Sequence, residues 1–288
     1  MPKTTINKKV FQIPKTILLS GKVLQFVSPY LAMRFAFKLF MTPYKFKRPR
    51  REQNMYKSAN KEMILVSDLN KKIQTYKLGS TDRRVLLIHG WAGRGTQLFK
   101  IAEVLQEQGY SVISFDATAH GDSEGKTSAM TEFIPSILAI ESHFGQFEYA
   151  IGHSLGAMSL LNAVKQGFKA RKIVLIGVAD SINKITHQFV RRLGLKLKVA
   201  KLLKKHLDQT LGYDSEVLSA SVAAKKVKIP SLVIHDENDE DVPLNWAKNV
   251  SDNLEKGEWL LTKNLGHRRI LYDANVINHI LEFMNRQV

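Results

Sequence analysis

The 288-residue chain has no cysteine, which excludes disulfides, thiolate zinc sites and a cysteine nucleophile together and fits a reducing cytoplasm. It also lacks an uninterrupted apolar run of about 18 residues, the length a membrane-spanning helix requires. The apolar stretch from Ile17 to Met41 is broken by Lys22, Arg34 and Lys38. No small-residue cleavage pattern follows a compact apolar segment, so no cleavable signal peptide is expected. There is no H-E-x-x-H, and His143, His187, His206, His235 and His279 are scattered without ligand spacing. No G-x-G-x-x-G loop follows a strand either, so neither a metal nor a nucleotide cofactor is expected.

Acidic residues are scarce at one end. Residues 1–62 hold 14 Lys and Arg against 2 Glu, a balance of +12, while the other 226 residues carry only +5 of the net +17. The basicity therefore belongs mostly to an N-terminal arm. With 44% of residues hydrophobic, the chain has ample material for a sizeable core.

From about residue 62, strand-like and helix-like segments alternate as expected for a parallel sheet with crossover helices. Short Val- and Ile-rich runs at Val85–Ile88, Val112–Phe115, Tyr149–Ile151, Ile173–Ile176 and Leu232–Ile234 read as buried central strands. Thr96–Gln108 and Leu155–Gln166 read as amphipathic helices, and Ile64–Val66 with Ile73–Tyr76 as a preceding antiparallel pair. The alternation is interrupted between Asp180 and Lys228 by a basic, leucine-rich segment. There Phe189, Leu193, Leu197, Leu202 and Leu207 are spaced for buried helical faces. The expected organisation is an arm over 1–61, a core from 62–179 and 229–288, and a helical insertion over 180–228.

Between the third of these strands and its helix lies Gly152-His153-Ser154-Leu155-Gly156. A G-x-S-x-G match alone is weak, but strand-turn-helix is the context in which it has a mechanism. The turn strains the backbone of the serine, and positions two before and two after it must lack bulk where strand and helix pass. The hydroxyl then stands at a helix N-terminus, which favours developing negative charge. A serine needs a base to take its proton, and a carboxylate to hold that base. An acidic loop follows the strand-like start of Ile229–Pro243, and His267 follows the strand-like Trp259–Thr262.

L-L-I-H-G-W (Leu86–Trp91), F-D-A-T-A-H-G-D-S-E-G (Phe115–Gly125), G-H-S-L-G, and the pair H-D-E-N-D-E-D-V-P and G-H occur in that order. Over residues 62–288 the sequence thereby resembles the α/β-hydrolase family. The resemblance implies an α/β fold with a mostly parallel central sheet, helices on both faces and a small helical cap at 180–228. It implies Ser154 as nucleophile, His267 as general base and then acid, and Asp239 as the residue orienting the imidazole. Asp241 and Asp180 are the alternative acids, while Asp236, Glu237 and Glu240 are expected to be solvated loop charges. The oxyanion hole would be the backbone N–H groups of Trp91 and Leu155. H-G-W-A-G-R-G here departs from the H-G-G-G form of one lipase and esterase branch and argues against that branch. His89, His120 and Asp116 are expected to form hydrogen-bonding scaffold, and His153 to pack in the elbow.

The implied activity is that of a cofactor-independent serine hydrolase cleaving a small-molecule carboxylic ester or thioester through an acyl-enzyme. A peptidase or carbon-carbon bond hydrolase on the same triad is the alternative, and a non-catalytic membrane-associated binding protein is the rival from another class. Pro29–Pro43 reads as a helix with a Leu31, Phe35, Leu39 stripe, followed by the basic cluster Lys45–Arg51. For residues 1–51 an anionic membrane surface and packing against the hydrolase domain stand as equal alternatives, and nucleic acid is disfavoured by the lack of any recognisable binding motif. The expected location is the cytoplasm, with the inner face of a membrane as the peripheral alternative; the oligomeric state is left open.

Overall fold

The computed structural model describes residues 13–287; residues 1–12, the start of the basic arm, lie outside the described residues. Eight strands form one sheet: β1 (Asn60–Val66), β2 (Lys71–Leu78), β3 (Arg84–Ile88), β4 (Ser111–Phe115), β5 (Tyr149–His153), β6 (Lys172–Ile176), β7 (Ser231–Asp236) and β8 (Gly257–Thr262). Their spatial order is β1-β2-β4-β3-β5-β6-β7-β8. The β1–β2 and β2–β4 pairs are antiparallel and all others parallel.

The helices are α1 (Lys15–Val27), α2 (Pro29–Met41), α3 (Gln53–Ser58), α4 (Phe99–Glu107), α5 (Met130–Phe144), α6 (Leu155–Lys165), α7 (Ile182–Arg192), α8 (Leu197–Leu211), α9 (Ala220–Ala224), α10 (Leu244–Asp252), α11 (Gly266–Arg269) and α12 (Ala274–Asn285). Val85, Leu87, Ile151, Val174 and Ile234 pack with Leu98, Ile101 and Leu105 near and in α4, and with Ile277, Ile280 and Phe283 of α12. The alternate strand residues Leu86, Ile88, Ile173 and Leu175 are equally buried. Both faces of the sheet are therefore covered, which is why these strands read as continuous apolar runs rather than alternating ones.

Strand order reverses at β3, with β4 on one side and β5 on the other. In open α/β sheets the carboxyl ends of the strands around such a reversal border a crevice. The loop after β3 and the turn after β5 both open there.

The chain divides into two compact units, Met1–Phe40 with Asn183–Asp214, and Met41–Ile182 with Ser215–Val288. The sheet lies wholly in the second. In the first, α1 and α2 meet the helices of the insertion. A Cβ on Gly21 would come within 3.3 Å of the Leu195 side chain, Gln25 Oε1 accepts from the Lys196 N–H at 2.6 Å, and edge-on ring contacts join Phe37 to His206 and Phe40 to Phe189. The buried stripe of α8 runs through Val199, Leu203 and Leu207. Leu197, expected to be buried, is instead 57% exposed, because it shares the outward face with Lys201 four residues on.

The basic cluster at the end of the arm belongs to the second unit. Arg48 donates to Thr96 Oγ1, Tyr76 Oη and Asp122 Oδ2 at 3.2–3.3 Å and stacks over Tyr56, and Lys45 Nζ donates to the Gly121 carbonyl at 3.2 Å. These cations hold the loops after β3 and β4. Among the described residues, no helix is long and apolar enough to cross a membrane.

Candidate active site

Ser154 joins β5 to α6 with φ 53° and ψ −118°, a conformation that L residues with a Cβ rarely adopt. Its N–H donates to the Ile176 carbonyl at 2.9 Å, pinning the turn to the end of β6. The flanking glycines are required by contact. A Cβ on Gly152 would lie 2.6–2.7 Å from the Ala157 backbone, and one on Gly156 would lie 2.4 Å from the His89 carbonyl oxygen. Strand, helix and the β3 loop thus pass at distances no side chain fits.

His267 reaches the same end of the sheet on α11. Its Nδ1–H donates to Asp239 Oδ2 at 2.7 Å, and its ring faces Gly177, where a Cβ would be 3.1 Å from Nδ1. His153, the neighbour of Ser154, lies ring to ring with His267 at 4.6 Å and donates from Nε2 to the His267 carbonyl at 2.9 Å. Asp239 is the partner of His267. Asp180, one alternative, accepts from Asn249 at 2.9 Å, and Asp241, the other, lies 3.8 Å from Arg268. Burial pushes the Asp239 carboxyl upward, but the His267 hydrogen bond and charge, together with the Val242 N–H, outweigh it and hold the carboxyl below its ordinary value.

Gly90, in the loop after β3, abuts Ser154; a Cβ there would stand 2.9 Å from the serine Cβ. Trp91 follows it. Among the described residues, the Trp91 and Leu155 amides donate no hydrogen bond. Leu155 opens α6, where N–H groups have no intrahelical acceptor. The Trp91 side chain is 37% exposed and meets His120 edge-on.

His89, His120 and Asp116 support this loop. His89 Nδ1–H donates to the Gly90 carbonyl and Nε2 accepts from the Ala117 N–H; His120 Nδ1–H donates to the Thr118 carbonyl and Nε2 accepts from the Ala92 N–H. Each ring must be neutral to accept at Nε2. Burial, with a neighbouring cation opposing further charge, lowers His89 to about 4 and His120 to about 3. His153 is lowered to about 3, by burial first and then by His267, and burial also lowers His235. Asp116 accepts from Gly95 N–H, Asp122 N–H and Tyr76 Oη at 2.6–2.7 Å, tying the loops after β3 and β4 together. Among the described residues, no group of three or more potential metal ligands comes together.

The expectation that Asp236 is a solvated charge is wrong. It is 1% exposed and accepts four hydrogen bonds: Asn238 and Gly266 N–H at Oδ1, Leu265 N–H and Thr262 Oγ1 at Oδ2, all at 2.8–3.0 Å. These bonds shape the turns that carry Asp239 and His267. The run of acids in H-D-E-N-D-E-D concealed it; the available signal was its place as the last residue of a buried strand.

The sequence profile described as serine aminopeptidase, S33, matches residues 79–221, and that described as TAP-like protein matches residues 213–286. Among curated proteins, none matches the chain by sequence. Of the solved structures, an esterase from Pyrococcus furiosus is similar with a TM-score of 0.65 at 17% identity, covering 85% of this chain and 97% of its own. An esterase from Exiguobacterium antarcticum gives 0.59 at 16%, covering 78% and 99%. A membrane phospholipase A described as a bacterial virulence factor gives 0.62 at 14%, covering 94% and 98%. At these identities the structural likeness speaks for the fold.

Two outcomes follow from the buried polar groups. Asp236→Ala strands three N–H donors and a hydroxyl, and is expected to cost about 2–3 kcal/mol and shift the His267 imidazole NMR resonances. Asp241→Asn should change neither, and equal effects of the two would contradict the assignment. The lowered histidines set the acid response: between their ordinary value of 6.5 and about 3–4 the unfolded chain takes up protons that the native one refuses. Stability is thus full above 6.5 and falls as pH drops through that window, by up to about 1.4 kcal/mol per pH unit for each buried ring. The depressed carboxyls of Asp236 and Asp239 add a further loss below their ordinary 3.8. Denaturant unfolding at about pH 7 and about pH 5 measures the first loss, and equal stabilities would refute it.

Proposed function

We propose that this chain, which belongs to the α/β-hydrolase family, is a cofactor-independent serine hydrolase that cleaves carboxylic esters or thioesters through an acyl-enzyme. The observation that carries the reading is Ser154 on a strained elbow whose neighbouring residue, His153, lies against a histidine with its Nδ1 held by a buried carboxylate.

In this reading Ser154 Oγ attacks the substrate carbonyl while His267 Nε2 takes its proton. Asp239 fixes the tautomer that leaves Nε2 free to accept, because its Oδ2 holds the Nδ1–H. Asp239 itself is kept ionised and oriented by the Asp241 and Val242 N–H groups, both 2.8 Å from Oδ1. The carbonyl oxygen gains negative charge as the tetrahedral intermediate forms, and the Trp91 and Leu155 amides stabilise it, Leu155 with the help of the α6 dipole. Protonated His267 then gives its proton to the leaving alcohol or thiol as the C–O or C–S bond breaks. Water, deprotonated by the same imidazole, attacks the acyl-serine, and collapse of the second intermediate releases the acid and restores Ser154.

The scaffold histidines suit this chemistry, since neutral His89 and His120 hold the loop without placing a proton donor in competition with His267. A peptidase on the same residues is the second reading, favoured by the serine aminopeptidase profile that matches residues 79–221.

The test is labelling by a fluorophosphonate probe beside turnover of p-nitrophenyl esters of increasing acyl length and of an aminoacyl p-nitroanilide. Labelling and ester turnover are expected in the wild type. Ser154→Ala should abolish labelling and lower kcat by roughly 10³-fold or more, and Asp239→Asn should lower kcat by a similar order with little change in KM. Faster anilide than ester turnover would select the peptidase. A folded wild type that neither labels nor turns over would leave a binding protein on a hydrolase fold.

A further inference from the structure

The positive charge of the molecule is concentrated in one unit. Met1–Phe40 with Asn183–Asp214 holds fifteen Lys and Arg and two Asp, a net +13 of the chain's +17. Both acids, Asp208 and Asp214, accept from Lys204 at 2.7–2.8 Å. Eleven cations of the unit are exposed: Lys15, Lys22, Arg34 and Lys38 on the two N-terminal helices, and Lys184, Arg191, Arg192, Lys196, Lys198, Lys201 and Lys205 on and between the helices of the insertion. So large a single-sign field costs self-repulsion in solution and attracts a polyanionic partner.

The same unit leaves apolar side chains uncovered. On α1, Leu19, Val23, Phe26 and Val27 are 64%, 54%, 93% and 67% exposed. Their spacing of four, three and one residues places them in one helical stripe, with Lys15 and Lys22 on the same face. Tyr30 and Leu31, 55% and 44% exposed, continue it past the break at Ser28. The bond from the Lys196 N–H to Gln25 brings the start of α8, with exposed Leu197 between Lys196 and Lys198, against this helix. Single exposed apolar residues need no explanation, but a contiguous stripe does.

We infer that this unit binds the surface of a lipid bilayer bearing anionic headgroups, with the Leu19–Val27 stripe entering the acyl boundary and the surrounding lysines and arginines meeting phosphate oxygens. The two features identify the partner jointly. Charge alone would suit a nucleic acid, but apolar residues at 54–93% exposure beside the cations gain nothing from a sugar-phosphate backbone and are stabilised by insertion into a bilayer interface. The tail cluster Lys45–Arg51 is not required, since Lys45 and Arg48 hold the loops of the other unit. This inference does not rest on the hydrolase reading.

Flotation of the full-length protein with phosphatidylcholine vesicles, with and without phosphatidylglycerol, tests it. The wild type is expected to bind the anionic vesicles about tenfold or more tightly than the neutral ones, and to be released as salt rises from about 0.05 to about 0.5 M. Phe26→Ser alone, at a fully solvated position, should weaken binding several-fold. Leu19→Ser/Val23→Ser/Phe26→Ser and Lys198→Glu/Lys201→Glu/Lys205→Glu should each weaken it about tenfold or more. Thermal midpoints should stay at the wild-type value. No binding, equal binding to both vesicles, or variants that bind like the wild type would overturn the inference. So would tight binding of duplex DNA that is blind to the apolar substitutions while the vesicles stay free. Hydrolysis of a soluble short-chain ester is read in parallel; its absence bears on the proposed chemistry alone and leaves the flotation result standing.

Discussion

At the β5–α6 turn Gly156 lies under the Ile88 and His89 carbonyls and Gly152 lies against the backbone of Ala157. Those distances admit no side chain, so the turn can close only by forcing the residue between the two glycines into a positive φ. Ser154 takes that strain, of order 1–3 kcal/mol for a non-glycine residue. The strain persists because the surroundings over-determine it: the Ser154 N–H is held by the Ile176 carbonyl, and the helix that follows is buried along most of its length. Close approach also brings the β3 loop to the serine, so the same steric condition sets both the proposed nucleophile and the proposed oxyanion donors.

Around the turn, the protein relies on buried polar groups: histidines that burial keeps neutral and aspartates that gather hydrogen bonds. His89 and His120 each bridge a carbonyl and an amide, and Asp116 and Asp236 each gather several donors from separate loops. A loop at a sheet end has no ladder to satisfy its backbone, and a buried acceptor with several lone pairs supplies what the ladder would. The two aspartates do this in parallel, Asp116 for the loops after β3 and β4, Asp236 for those after β7 and β8. The residues proposed for chemistry stand in loops and at helix starts that these buried hubs tie together.

A different logic governs the helical unit. Its helices pack through Gly21 against Leu195 and through aromatic edges, while its outward faces carry lysine, arginine and uncovered apolar side chains. In water the cations are hydrated but repel one another, while the uncovered apolar stripe gains nothing. The chain combines a body whose loops are tied by buried polar hubs with a second body that carries most of the net positive charge and an exposed apolar stripe.

What the sequence determined by itself was whatever depends on local order. Short Val- and Ile-rich runs bounded by turn residues read as strands buried on both faces, and the glycines two before and two after Ser154 announce a turn too tight for side chains. The motifs that resemble the α/β-hydrolase family pointed to Asp239 and His267, and the fold brings these two within hydrogen-bonding distance. Decisions that depend on long-range contact were not legible. Asp236 is one acid among five in a loop, and only the arrival of Leu265 and Gly266, about thirty residues on, makes it a buried hub. Leu197 and Leu203 have the same side chain on the same helix, yet one faces solvent and the other the interior. The basic arm could not be divided at Phe40 from its composition, because lysines that are solvated and lysines that brace a loop look alike in a sequence. Burial is a property of what comes back to cover a residue, and for these residues the covering segment lies far away along the chain.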